Sequence, residues 1–325
     1  MEDIGKISLK VVSTRVRFLH TKIEYNINGK NIDNTIVNTL RQVTMSNIPI
    51  YAFNNIDITK NTGVLNNDYI KLRIKNLPIV GIKAKNSIYV PPKEKTNEII
   101  LEDNDEEINV SGELADVNTD SLNELSMYLD INNTSQEIMS IGTKDATFYY
   151  QGKQIENPYK KNVQILKLQP GQEIKLSAIS TLGIEHLHGA QHSPVSIFTF
   201  KQNSDNDFNI IYESRGQLEE KEILKRTCDN IYNILDGIKD YALQIDTTEM
   251  KGVIELNKME HTIGNILATG LHNHKDVKYG AYSMPHLLDD KIIIRYELKK
   301  NNIKQVFLDI VDYYHKIYKN IQSLL

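Results

Sequence analysis

Three histidines lie close together in the chain and could jointly ligate a metal ion. His186, His188 and His192 occupy a glycine-containing loop that leads into a strand. Neutral imidazole is a common Zn²⁺ ligand, and a neighbouring carboxylate usually holds the ring in place. We identify no acidic residue placed for that role. We therefore favour a packing or interface loop, and a metal-dependent enzyme that also uses His272 and His274 remains an alternative.

Other reactive residue types are sparse. Cys228 is the only cysteine, so neither an intramolecular disulfide nor a cysteine zinc site can form. Its place on an apolar helical stripe predicts a buried side chain rather than a reactive thiol. The acids of residues 102–107 are contiguous rather than spaced as a cation cage, which predicts a solvated loop.

The sequence also lacks the usual signatures of catalysis. It contains no glycine-rich phosphate loop, no nucleophile elbow and no carboxylate triplet of the kind that holds metals for nucleotidyl transfer. We expect a protein that is not catalytic alone and that uses no cofactor.

Composition narrows the class further. The 325 residues are 25% charged and 40% hydrophobic, as in globular proteins of two or three domains, and carry a formal net charge of -4. That charge argues against affinity based on neutralising phosphates. No apolar run is long enough to cross a bilayer, and residues 1–6 do not resemble a signal peptide. We expect an intracellular protein without direct specific nucleic-acid or membrane binding.

A short motif near the start recurs near the end, and each copy opens a helix with one apolar stripe. Asn34 is placed to cap the first helix and Pro49 to end it, and His261 or Thr262 is placed to cap the second. A strand and, later, a long amphipathic helix follow each copy, which predicts two related units forming a pseudo-twofold pair. The matched positions are Thr35 with Thr262, Ile36 with Ile263, Asn38 with Asn265, and Leu40 with Leu267.

Periodicity predicts the remaining elements, and the fold class is α+β. Long helices are predicted over residues 218–242 and 303–321. A hairpin that turns at Pro170 and Gly171 is predicted for residues 165–179. The predicted strands are two within residues 7–27, then 50–58, 69–74, 79–82, 99–101, 147–150, 252–256, 277–284 and 292–298.

After residue 50, short β-like runs are separated by polar, Asn-rich and acidic connections, which predicts a β-rich domain inserted into the first unit. The predicted boundaries are residues 1–50 and 183–245 for dimerisation unit one, 51–182 for the inserted domain, and 246–325 for the smaller unit two.

The ordered motifs resemble a known family. The first unit is similar to the α-type subunit of cellular DNA-dependent RNA polymerases through "NTLRQVTMSNIPIYAF", "NTGVLNNDYIKLRIKNLPI" and "LQPGQEIKLSAISTLGIEHLHGAQHSPVS". The second resembles the small α-like partner subunit through "HTIGNILATGLHNHKDVKYGAYSMPHLLDDKIIIRYEL". Having both in one chain resembles the fused subunit of nucleocytoplasmic large DNA viruses.

The resemblance implies a non-catalytic assembly platform, an internal pseudo-heterodimer that binds the two large catalytic subunits and a small assembly subunit. If the chain is viral, host cytoplasm and virion are the expected locations. A free-standing homodimeric regulator remains a further alternative. By matching position, the large-subunit interface comprises Asn38, Arg41, His186, His188, His192 and Ser193. The expected pseudo-dimer core comprises Ile36, Leu40, Val43, Ile263, Leu267, Phe307, Ile310 and Tyr314.

Overall fold

A computed structural model describes most of the chain. The described residues are 5–17, 20–90, 124–245, 249–257, 261–286, 291–300 and 302–325. Two segments named above, residues 99–101 and 102–107, lie outside them. Within the described residues, no helix is both long and apolar enough to span a bilayer.

The described chain contains both helices and strands. The helices are α1 (Asn34–Ser46), α2 (Asn67–Lys75), α3 (Glu185–His188), α4 (Glu220–Gln244), α5 (His261–Asn273) and α6 (Ile303–Ser323). The strands are β1 (Ser8–Val16), β2 (Thr21–Asn28), β3 (Ile50–Asn61), β4 (Leu125–Asn132), β5 (Met139–Gly142), β6 (Thr147–Tyr150), β7 (Lys153–Ile155), β8 (Gln164–Leu168), β9 (Glu173–Gly183), β10 (Val195–Ser204), β11 (Asp207–Ser214), β12 (Lys251–Asn257), β13 (Val277–Ser283) and β14 (Lys291–Leu298).

The chain forms two compact units, called unit 1 and unit 2 from here on. They are not the dimerisation units one and two predicted from the sequence. Unit 1 consists of Met1–Tyr51, Pro78–Ile88 and Gly183–Leu325, and unit 2 consists of Ala52–Leu77 and Tyr89–Leu182. The mixed helix and sheet composition predicted from the sequence is confirmed. Residues 78–88 differ from the expectation, because they pack with unit 1 rather than with the rest of residues 51–182.

Unit 1 contains two antiparallel sheets. The first has the strand order β1-β2-β11-β10 and the second has the order β12-β14-β13. Each sheet alternates buried apolar and more exposed polar residues, as in β11, where Phe208, Ile210 and Tyr212 are buried. The apolar faces of the strands and of α1, α4, α5 and α6 share one hydrophobic core.

Polar side chains hold the short segment 78–88 in unit 1. The buried amide of Gln217 donates to the carbonyls of Tyr51 and Ile79 at 3.0 and 3.2 Å. On α4, the guanidinium of Arg226 donates to the carbonyls of Ala84 and Asn86 at 2.9 and 3.2 Å. These bonds satisfy backbone carbonyls of the segment. Residues 79–82 belong to none of the strands, so the predicted strand there is wrong.

Unit 2 is mainly β-structure. Its larger sheet has the order β3-β9-β4-β6-β7, and β5 pairs with β8 in a separate two-stranded sheet. The predicted hairpin over residues 165–179 is therefore wrong, although both strands and their turn exist. The turn is bonded to Asn133 instead, whose N–H donates to the Gln172 carbonyl and whose carbonyl accepts from Gly171 N, both at 2.8 Å.

The predicted strand at residues 69–74 is also wrong, since those residues lie in α2. Asn66 caps that helix by accepting a hydrogen bond from Tyr69 N at 3.0 Å. Ile70 and Ile74, one helical turn apart, are its buried residues. The strands predicted over residues 50–58, 147–150, 252–256, 277–284 and 292–298, and both long helices, are confirmed.

Candidate functional site

The candidate site begins with α1, whose two faces differ in character. Its cap is Asp33 rather than the expected Asn34, because the Asp33 carboxylate accepts a hydrogen bond from Ile36 N at 2.9 Å. Burial raises the pKa of the Asp33 carboxyl, and the backbone N–H groups of Ile36 and Thr35 partly offset that shift. The stripe of Ile36, Leu40 and Val43 is buried, and the opposite polar face is partly exposed.

Asn38 and Arg41 lie together on that polar face and are both half-buried. The Nε and Nη2 atoms of Arg41 donate to Asn38 Oδ1 at 3.1 and 3.0 Å. Arg41 Nη1 points along the helix toward Met45 Sδ, 3.9 Å away. The guanidinium is thus held in one orientation by neutral groups, and its charge is available to an acidic partner.

The histidine loop folds into two short turns beside α1. It consists of α3 followed by a 3-10 turn at Ala190–His192, and α3 contacts α1. His186 is exposed and His188 is half-buried, whereas His192 is 0% exposed. The rings of His188 and His192 lie 5.3 Å apart between centroids. His186 is therefore the loop histidine best placed to reach a partner.

His192 and Ser193 are buried and stabilise the fold of the loop, so they do not form part of its exposed surface. A Cβ atom on Gly183 would lie 2.8 Å from both His188 and His192, so only glycine permits this close packing. Ser193 is 7% exposed, and its hydroxyl donates to the Val195 carbonyl at 3.0 Å. Their burial does not fit the direct partner contact expected from the sequence, and the candidate interface reduces to Asn38, Arg41 and the exposed part of the loop.

The other histidines are dispersed. His272 is exposed on α5, whereas His274 is buried and its Nε2 lies 3.2 Å from Asp309 Oδ2 on α6. Across the part of the chain that the structure describes, no three His, Cys, Asp or Glu side chains form a group able to hold a metal ion. The described residues therefore provide no set of metal ligands for the metal-dependent enzyme alternative.

The helices that carry the repeated motif contact each other in unit 1. Thr35 Oγ1 on α1 lies 3.3 Å from Thr269 Oγ1 on α5. The Tyr318 hydroxyl on α6 donates to the Ile36 carbonyl at 3.4 Å. All residues expected in the pseudo-dimer core are buried, with at most 8% exposure: Ile36, Leu40, Val43, Ile263, Leu267, Phe307, Ile310 and Tyr314.

The two long helices also contribute to the hydrophobic core that contains these residues. α4 packs along α6 and also against α1, where the hydroxyls of Thr44 and Thr227 lie 2.9 Å apart. Gln322 of α6 donates to Asp229 of α4 at 2.8 Å. Elements from the start, middle and end of the chain therefore bury one continuous apolar surface.

Residues 251–323 match the family model of the RNA polymerase Rpb3/Rpb11 dimerisation domain. This range begins at β12 and contains α5 and α6.

Curated relatives extend the similarity beyond this range, and one of them covers nearly the whole chain. A protein of Acanthamoeba polyphaga mimivirus, provisionally named a DNA-directed RNA polymerase subunit, is 29% identical over 98% of this chain and 94% of its own length. Subunit rpac1 of RNA polymerases I and III of Dictyostelium discoideum is 27% identical over 58% of this chain and 53% of its own length. Subunit 3B of RNA polymerases IV and V of Arabidopsis thaliana is 25% identical over 66% and 64%, respectively.

These comparisons confirm the resemblance to RNA polymerase α-type subunits. Against the two cellular relatives, the match spans between half and two thirds of the relative's length.

Sequence reasoning missed the polar anchors of unit 1. Arg226 is 8% exposed and Asn230 is 5% exposed, one helical turn apart beside the apolar seam of α4. Asn230 Nδ2 donates to the Ser87 carbonyl at 2.6 Å. Arg215 Nη1 likewise donates to the Ala190 and Gln191 carbonyls, at 3.2 and 3.1 Å, and burial lowers its pKa. Polar residues on a helix usually indicate a solvated face. The one-turn spacing of Arg226 and Asn230 was therefore the only sequence signal that the two act together.

Proposed function

We propose that this chain is the non-catalytic assembly subunit of a multisubunit DNA-directed RNA polymerase. In this proposal, two α-type dimerisation units fold together as an internal pseudo-heterodimer, and unit 2 is inserted into the first of them. The observation that carries the proposal is the direct contact between α1 and α5, which open the two copies of the repeated motif.

A pseudo-twofold pair brings equivalent elements face to face, as an isologous dimer does. Two further features support this arrangement. The pairing of α4 with α6 joins the long helices that end each half. Each of these helices follows a pair of adjacent antiparallel strands, β10 with β11 before α4, and β13 with β14 before α6. The match of residues 251–323 to a dimerisation domain agrees with an interface of this kind.

The proposed partners are the two large catalytic subunits and a small assembly subunit. The polar face of α1 supplies one contact, with Asn38 holding Arg41 toward an acidic group of a large subunit. His186 on the adjacent loop supplies another. RNA synthesis belongs to the large subunits in this scheme, and this chain brings them together. If the chain is viral, assembly takes place in the host cytoplasm and the enzyme is carried in the virion.

Affinity purification of the tagged chain from its native setting tests the proposal. Two large subunits should accompany the chain, and the preparation should synthesise RNA on a DNA template. Recovery of the chain alone, or as a homodimer by sedimentation, would contradict the assembly role and favour the regulator alternative.

Arg41→Ala tests the proposed contact within that experiment. Recovery of a large subunit should fall by about tenfold, the effect of losing one important charged interface contact, while the melting temperature stays unchanged. Arg15→Ala is the matched control, since Arg15 is an exposed arginine of strand β1 that none of the proposed contacts uses. Equal recovery of partners by the two variants would refute the role of Arg41.

A further inference from the structure

Unit 2 contains an open apolar groove that the assembly contacts proposed above do not use. Its volume is about 360 Å³, and it lies among the loop that precedes α2, α2 itself and strand β8. Ile165 and Leu166 are buried at 1% and 3% exposure, whereas Val64 and Ile138 are 71% and 64% exposed. Deep apolar residues flanked by exposed ones are typical of a surface that another molecule covers.

The outer face of α2 enlarges this apolar surface. Tyr69 is 61% exposed and Leu72 is 56% exposed. Arg73, which lines the groove, is one helical turn beyond Tyr69 and adjacent to Leu72. Large exposed side chains at this spacing form a stripe on the helix rather than isolated surface residues.

The groove is also basic, although the whole chain carries a formal net charge of -4. Arg73 and Lys167 line it together with uncharged residues, and Lys71 and Lys75 lie on the same helix as Arg73. Among the described residues, none of these four cations lies within 4.0 Å of a carboxylate.

Two other cations of unit 2 have acidic partners. Lys60 pairs with Glu173 at 2.5 Å and Lys175 pairs with Asp130 at 2.7 Å. No described carboxylate of this chain pairs with the cations beside the groove, so a partner must supply the acids that would pair with them.

We propose that the groove binds an acidic and apolar segment of another polymerase subunit. An apolar side chain of that segment packs between Val64 and Ile138 over Leu166, and carboxylates on either side of it pair with Arg73 and Lys167. The apolar floor argues against nucleic acid, whose phosphates would need a polar one. This inference rests on the proposed role in a polymerase, since it requires a partner subunit.

Site-specific photocrosslinking in the assembled enzyme tests it. A benzophenone amino acid replaces Ile138 in the tagged chain, and the complex is purified, irradiated and analysed by peptide mass spectrometry. Crosslinked peptides should come from another subunit and should contain an apolar residue flanked by Asp or Glu. The control replaces Tyr128, which is 44% exposed in unit 2 but does not line the groove, and it should not crosslink to that peptide.

Charge reversal gives a second readout. Arg73→Glu combined with Lys167→Glu should reduce the yield of that crosslink by about tenfold or more, and the double variant Arg73→Gln with Lys167→Gln should have a smaller effect. Arg73 and Lys167 are both solvent-exposed, so neither double variant should change the melting temperature.

The remaining outcomes overturn the inference. Crosslinks to residues 91–123 of the same chain, to a second copy or to nucleic acid would each name a different occupant, and no crosslink would mean an empty groove. If the large subunits still accompany the chain in any of these cases, only the groove assignment fails. If they are absent, the proposed function fails as well.

Discussion

Adding one methyl group to α5 should reveal how closely α5 approaches α6. A Cβ atom on the buried Gly270 would lie 2.5 Å from Ile310 Cγ2, whereas carbon atoms in ordinary contact are about 3.5–4.0 Å apart. Ile310 is 0% exposed and β-branched, so it cannot move aside freely. We expect overpacking in Gly270→Ala to oppose folding by about 1–3 kcal/mol.

The higher helix propensity of alanine opposes the destabilisation caused by overpacking. The control is therefore a Gly→Ala substitution that has the same propensity gain and no overpacking. Replacing glycine by alanine within a helix stabilises it by about 0.8–1 kcal/mol. Gly237 is exposed on α4, and a Cβ atom there would meet no atom within 4 Å. Gly237→Ala should therefore be stabilising, whereas Gly270→Ala should be neutral to destabilising by about 2 kcal/mol after the propensity gain is subtracted.

Urea unfolding of the full chain, followed by circular dichroism, measures this difference. The two variants share the propensity term, so the gap between their free energies of unfolding isolates the packing term, about 1–3 kcal/mol. Because two compact units can unfold separately, the slope of each transition must be compared as well as its midpoint. Equal stabilisation by both substitutions would refute the close approach of α5 to α6.

Three further predictions follow from burial and charge. Leu267→Asp places an unpaired charge at a site that is 0% exposed and should destabilise the chain by several kcal/mol, about 3–5, in the same urea assay; an unchanged midpoint would remove Leu267 from the core. Burial, helped by the charge of Asp229, raises the pKa of Cys228 to about 12, so a thiol reagent at neutral pH should label it only on unfolding, and fast labelling of the folded chain would contradict that burial. Partial burial opposes ionisation of Glu222, but its bonds to Lys83 and Arg226 prevail and lower its pKa; the stabilisation is therefore present above the ordinary glutamate pKa and lost as pH falls through the folded value. Glu222→Gln should accordingly be less stable than the parent at neutral pH and approach its stability as acid titrates the Glu222 carboxylate of the folded chain. A constant difference over the whole titration would show that the carboxylate is not responsible.

Sequence periodicity predicted the elements whose packing surface is long and continuous. α4 and α6 bury apolar residues at steps of three and four over many turns, so their stripes could be read directly. α2 has only Ile70 and Ile74 as buried residues, and a run this short fits a strand as well as a helix. The helix cap Asn66 was the signal that would have distinguished a helix from a strand.

Pairings between distant residues could not be predicted in the same way. The turn at Pro170 and Gly171 is encoded locally, but its bonds go to Asn133, far earlier in the chain. Similarly, the sequence placed His192 in an interface together with Asn38 and Arg41, whereas the burial of His192 depends on packing against Gly183. Local chemistry determines turns and helix faces, and tertiary packing determines which loop residues remain accessible.

The path of the chain between its two compact units limits how unit 2 can be removed. The chain passes from one unit to the other after Tyr51, after Leu77, after Ile88 and after Leu182, so unit 2 is joined at four points rather than two. A deletion of residues 52–182 also removes the segment 78–88 and leaves Arg226 buried without the carbonyls that it binds. A minimal unit 1 must therefore keep residues 78–88 and carry two separate short linkers, and a chimaera that exchanges unit 2 between relatives needs two grafts.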